Sequence, residues 1–127
     1  MKVAKVTPKL ELSIHESIFS RFPELIGGEC DLVEFVHARG LAENDVTSEV
    51  VMVVDEEFLC RDNLPELNPL GSYLYGTLEH GSPILGNILF VGECNYGRDI
   101  RSLTDAEIEQ IREWVEILKK AQKVEYP

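Results

Sequence analysis

At 127 residues the chain suits one domain of ordinary size, long enough to bury a core without disulfides or metals. Its 12 Lys and Arg against 23 Asp and Glu give a formal charge of −11, which repels DNA, RNA and anionic lipid at long range, so no direct nucleic-acid binding is expected. Three cysteines (Cys30, Cys60, Cys94) cannot all pair within one chain, and the longest apolar run, residues 50–54, is too short for a membrane span. With no apolar signal-peptide core near Met1, a reducing cytoplasm is the expected location.

In chain order, residues 3–7 alternate weakly and read as a first strand ended by Pro8. Ser13 and Glu16 have the spacing of a capping box, so a helix is expected there, with Ile14, Ile18, Phe22, Leu25 and Ile26 on one face. Pro23 should break or kink it, and Gly27-Gly28 should stop it with positive φ. Residues 30–38 alternate, with Val33, Phe35 and His37 opposite Leu32, Glu34 and Val36, as the two faces of a strand do. Residues 48–55 are β-branched and apolar on both faces, the pattern of a central strand.

Residues 73–78 and 84–91 read as the two strands of a hairpin, joined by Glu79-His80-Gly81-Ser82-Pro83. Glycines recur at 71, 76, 81 and 86, and those inside the expected strands suit bulges or close backbone approach. A polar loop follows over residues 93–101. Thr104 and Glu107 then form a second capping box, opening a helix to about residue 121 whose apolar stripe is Ile108, Ile111, Trp114, Val115 and Leu118. The elements sum to one α+β domain: a small mixed or antiparallel sheet of about five strands, packed by a C-terminal helix and a short N-terminal helix. The stripe is expected to pack on the sheet, with a homodimer sharing it as the alternative.

Chemistry is sparse. Cys30 and His37 fall on opposite faces of their expected strand, which argues against a metal site, and no cofactor is expected. The sequence holds neither a Gly-x-Ser-x-Gly elbow nor a phosphate loop. Cys94, with Asn95, Arg98 and His80 in conceivable reach, is the best candidate nucleophile and keeps a small cysteine-dependent hydrolase or transferase open. The loops around the expected hairpin group side chains that suit a ligand, and the candidate binding residues are Asn68, Tyr73, His80, Gly81 and Asn87.

At this hairpin the sequence resembles the domain of unknown function 3846 family of small phage and mobile-element proteins. The matching residues are Leu25-Ile26-Gly27-Gly28, Val50-Val51-Met52-Val53-Val54-Asp55-Glu56-Glu57 and Asn68-Pro69. They continue through His80-Gly81-Ser82-Pro83-Ile84-Leu85-Gly86-Asn87-Ile88-Leu89-Phe90-Val91-Gly92 and end with Ser102-Leu103-Thr104-Asp105-Ala106-Glu107. The departure from the family pattern is mainly in residues 94–100. The resemblance implies a small α+β fold and a mobile-element setting, and no catalytic residues. The expected function is that of a non-enzymatic accessory protein binding a small ligand or a host protein. An acidic DNA mimic that blocks a nucleic-acid enzyme is the alternative that the net charge permits.

Overall fold

The computed structural model describes residues 1–37, 49–57, 60, 63–76, 83–95 and 97–124. Among these run β1 (Lys2–Val6), β2 (Leu12–Glu16), α1 (Phe22–Ile26), β3 (Val33–His37) and β4 (Val50–Asp55). They are followed by α2 (Pro69–Tyr75), β5 (Ile88–Cys94), β6 (Asp99–Arg101) and α3 (Asp105–Val124). A 3₁₀ turn, Phe19–Arg21, leads into α1. The strands form one sheet in the order β2-β1-β5-β4-β3, every pairing antiparallel. On the edge of β5 away from β4, β1 pairs with residues 88–90 and β6 with residues 92–94. The fold is α+β, with a short N-terminal helix and a long C-terminal one.

The strand β4 explains the layering. Its period-two alternation sends Val50, Met52 and Val54 to one face and Val51 and Val53 to the other, and all five are buried. A strand apolar on both sides needs cover on both sides. On the first face α2 contributes Leu70 and Leu74, and α3 lays down Ile108, Ile111, Trp114 and Val115, with Trp114 tilted against Phe90 at 6.1 Å between ring centroids. The stripe of α3 therefore packs on the sheet. The second face carries Val3, Val51, Val53, Leu89 and Val91, and its cover is Phe22 and Ile26 of α1.

That second cover is short. Five helical residues span about 7.5 Å at 1.5 Å each, whereas the six residues of β4 span about 20 Å. Among the described residues both ends of the face are left uncovered, and a cleft lies at each. One is lined by Gly27 and Gly28 beyond the end of α1, with Asp55 at the C-terminal end of β4. The other is lined by Phe19 ahead of α1, with Val51 near the start of β4.

Several expectations are corrected. Residues 69–75 are helical, so the hairpin of residues 73–78 with 84–91 does not form. Asn68 accepts the Gly71 amide at 3.0 Å as N-cap, Pro69 occupies the first turn where its missing N–H costs nothing, and Gly76 at φ 80° ends the helix. Gly76 and Gly86 accordingly lie in neither of the proposed strand interiors. The Ser13–Glu16 capping box is absent too: residues 12–16 pair with β1, and the Ser13 hydroxyl instead meets His15 Nε2 at 2.8 Å along the strand. Pro23 begins α1 rather than breaking it. Residues 99–101 of the expected polar loop are a strand. Cys30 precedes β3 rather than lying on it.

Candidate functional site

The cleft at the Asp55 end is built from turns. Gly27 and Gly28, at φ 85° and 63°, turn the chain away from α1 in a conformation that L side chains rarely adopt. Gly86, at φ 81°, brings the backbone against Pro65, where a Cβ would stand 3.3 Å from the proline ring. Asn87 next to it donates from Nδ2 to the Ile26 carbonyl at 2.8 Å, tying the start of β5 to the end of α1. Asp55, 8 % exposed, closes β4 by accepting the Glu57 amide at 2.9 Å, an Asx turn at a strand end.

These segments enclose a cleft of about 280 Å³. Its floor is apolar, from Ile26, Leu85 and Pro65; its polar lining is two carboxylates, Glu29 and Asp55, and two amides, Asn63 and Asn87. Among the described residues no Lys, Arg or His lines it. The described lining accepts hydrogen bonds and favours neutral or cationic ligands over a phosphate.

Among the residues proposed from sequence, Asn87 lies in this cleft. Asn68 is fully buried behind it, donating to the Val6 carbonyl at 3.0 Å and to the Gly86 carbonyl at 2.9 Å while capping α2. Its amide thus joins β1, α2 and the Gly86 turn. Tyr73 stands on the outer side of α2, 60 % exposed, and does not line the cleft. His80 and Gly81 lie outside the described residues. Sequence reasoning treated Gly27-Gly28 and Asp55 as a helix stop and a strand end, which they are. Their convergence with Asn87 depends on strand register, for which no local signal exists.

The nucleophile neighbourhood proposed for Cys94 is partly occupied otherwise. Cys94 is half-buried, and Asn95 hydrogen-bonds the Asp99 carboxylate across the β5–β6 turn. Among the described residues no group of three His, Cys, Asp or Glu is placed to hold a metal ion. On α3 the acids alternate with bases, Glu109 pairing with Arg112 at 3.2 Å and Glu116 with Lys119 at 3.6 Å, where a phosphate mimic needs a run of unpaired carboxylates. No described helix is long and apolar enough to cross a membrane.

The strongest ionic node is structural. Arg101 reaches from β6 to Glu107 in the first turn of α3, through Nη1–Oε1 at 2.8 Å and Nη2–Oε2 at 2.9 Å, and also holds Glu49 at 3.0 Å. Glu107 in turn accepts the Thr104 amide at 2.9 Å and donates its own amide to Thr104 Oγ1 at 3.1 Å, so the expected capping box is present. Burial pushes the Glu107 carboxyl up, but hydrogen bonds from Arg101 and the Thr104 backbone outweigh it and hold the group below the ordinary glutamate value. The bond to Glu107 raises the Arg101 guanidinium further above its usual value. Perturbed groups locked into a fully satisfied pair, away from either cleft, are a clamp between sheet and helix rather than a reactive site.

A family model described as Domain of unknown function (DUF3846) matches residues 1–116. No curated protein and no solved structure matches the chain.

Proposed function

The chain belongs to the DUF3846 family, and on that premise we propose that it is a non-enzymatic accessory protein of a phage or mobile element, acting by holding a small ligand in the Asp55 cleft. The observation that carries this reading is convergence. Residues 26–28, Asp55 and residues 85–87 are far apart in sequence, each belongs to a segment through which the chain resembles its family, and all line one cleft. Folding alone would not require Asp55, Asn87 and two positive-φ glycines to face a common space. Asn87 bonds Ile26, and Asn68 fixes the Gly86 carbonyl from below, so the turns are pre-organised and little ordering is left for binding. The two carboxylates and two amides of the described lining suit a small, neutral or cationic molecule bearing N–H or O–H donors.

Native mass spectrometry of protein gently purified from a bacterial lysate tests this, before and after titration with small-molecule extract. The expected result is an added mass of metabolite size that is lost in Asp55→Asn. That substitution keeps Oδ1 for the Glu57 amide while it removes the charge and turns the second oxygen into a donor. A bare mass throughout, or an adduct indifferent to Asp55→Asn, would overturn the assignment.

A further inference from the structure

The second cleft, at the opposite end of the same sheet face, has a different chemistry. Alternation along β3 places Phe35 and His37 on the face shared by Val51 and Val53, with which they pair. On β5, Glu93 follows Leu89 and Val91 onto that face, opposite Ile100 of β6. Phe19, from the 3₁₀ turn, lies over Phe35 in an offset stack, centroids 5.9 Å apart and planes at 11°, and is held edge-on by buried Phe22 at 5.8 Å. The two outer rings stay 53 % and 40 % exposed. Two stacked, partly exposed rings braced by a third form an aromatic wall.

Opposite them stands the Glu93 carboxylate. Its side chain is 17 % exposed, and among the described residues the nearest basic side chain is His37, whose Nδ1 lies 3.9 Å away, beyond hydrogen-bond distance. Among the described residues the carboxylate has no hydrogen bond, although one oxygen lies against the Gly97 turn. A carboxylate at a cleft wall that water still reaches can exchange that water for a pair of ligand N–H donors. The floor is Val51 and Ile100, and the space is about 360 Å³, within the roughly 300–1,000 Å³ usual for small-molecule sites.

From this pairing of an aromatic wall with an accessible carboxylate we infer that the Phe19–Phe35–Glu93 cleft is a second binding site, for a planar nitrogen heterocycle carrying a ring N–H beside an exocyclic amino group, as on the guanine edge. The two parallel N–H groups of such an edge match the two carboxylate oxygens, as a guanidinium fork does. The ring then lies along the Phe35 and Phe19 faces. The ligand is a base or nucleoside rather than a phosphorylated form, because the protein carries −11 overall and, among the described residues, the cleft presents one arginine, Arg98, at its rim. This site is independent of the Asp55 cleft, sharing none of its residues.

The test is an amide NMR titration of the full chain with guanosine and with inosine, which keeps the ring N–H and lacks the amino group. Guanosine should shift the amides of Phe35, His37, Gly97 and Ile100 saturably, and both inosine and the Glu93→Gln variant should weaken binding by about tenfold or more. Glu93→Gln preserves side-chain shape and puts a donor against a donor. No shifts with millimolar guanosine, equal affinity for inosine, or unchanged affinity in Glu93→Gln would each overturn the inference. Shifts confined to Gly28, Asp55 and Asn87 would overturn it as well, since they would place the nucleoside in the other cleft.

Discussion

Replacing Glu107 by alanine should remove the clamp between β6 and α3. The wild-type carboxylate, 5 % exposed, accepts two hydrogen bonds from Arg101 and one from the Thr104 amide. Loss of the capping-box half costs about 1 kcal/mol, and leaving the partly buried guanidinium with Glu49 and the Ser102 carbonyl adds roughly 2 kcal/mol, discounted from a fully buried pair because Arg101 is 26 % exposed. The sum, about 3 kcal/mol, corresponds to a fall in Tm of roughly 10–15 °C for a chain of this length. Glu107→Gln keeps an acceptor for the Thr104 amide and should lose about half as much. Urea unfolding followed by circular dichroism measures both. The pH dependence adds a second constraint. Because folding lowers the Glu107 pKa, its contribution is complete above the ordinary value of 4.5 and is lost as pH falls through the lower folded value. The gap between wild type and Glu107→Gln should therefore be full at pH 7 and narrow below about pH 4.5. A loss under 1 kcal/mol for Glu107→Ala at pH 7, the size expected of an exposed pair, would refute this reasoning.

Three further outcomes follow from the same contacts. A Cβ at Gly92 would run into the Arg101 guanidinium, so Gly92→Ala should destabilise by displacing that side chain, and a double-mutant cycle with Glu107→Ala should be clearly sub-additive; additive losses would mean the two positions are uncoupled. Asn68→Ala removes the cap of α2 and two buried bonds to carbonyls, costing about 2–4 kcal/mol in urea unfolding, whereas a cost below 1 kcal/mol would make Asn68 dispensable to the fold. With a thiol-reactive dye, exposed Cys60 should label before half-buried Cys30 and Cys94, and fastest labelling at Cys94 would return it to candidacy as a nucleophile.

Much of the fold was legible where local and tertiary signals agree. Residues 50–54 read as a central strand because apolar β-branched side chains on both faces have few other uses, and all five are buried. Ser13–Glu16 and Thr104–Glu107 share one capping-box spacing, yet only the second starts a helix. The difference lies downstream: Thr104 is followed by a 20-residue helix with an apolar stripe, whereas residues 12–16 gain five paired positions with β1 across a turn in which Leu10 takes φ 62°. That gain is non-local, and the sequence between shows only Pro8. Residues 69–75 are helical although residues 73–78 read as a strand, and Asn68-Pro69 and Gly76 are sound start and stop signals for that helix. Of the candidate site, Asn87 was identified directly. Gly27-Gly28 and Asp55 were recognised for local roles, and Phe19, Phe35 and Glu93 gave no sign of a shared cleft. What brings them together is the shortness of α1 over a longer face, which becomes visible only once strand register is known.

The most direct test of ligand binding at the Asp55 cleft is hydrogen exchange by mass spectrometry, with and without a low-molecular-weight extract of host cells. Binding there predicts slower exchange concentrated in residues 26–29 and 85–87, turns that line the cleft. Unchanged exchange in both segments, or protection appearing only elsewhere, would contradict it.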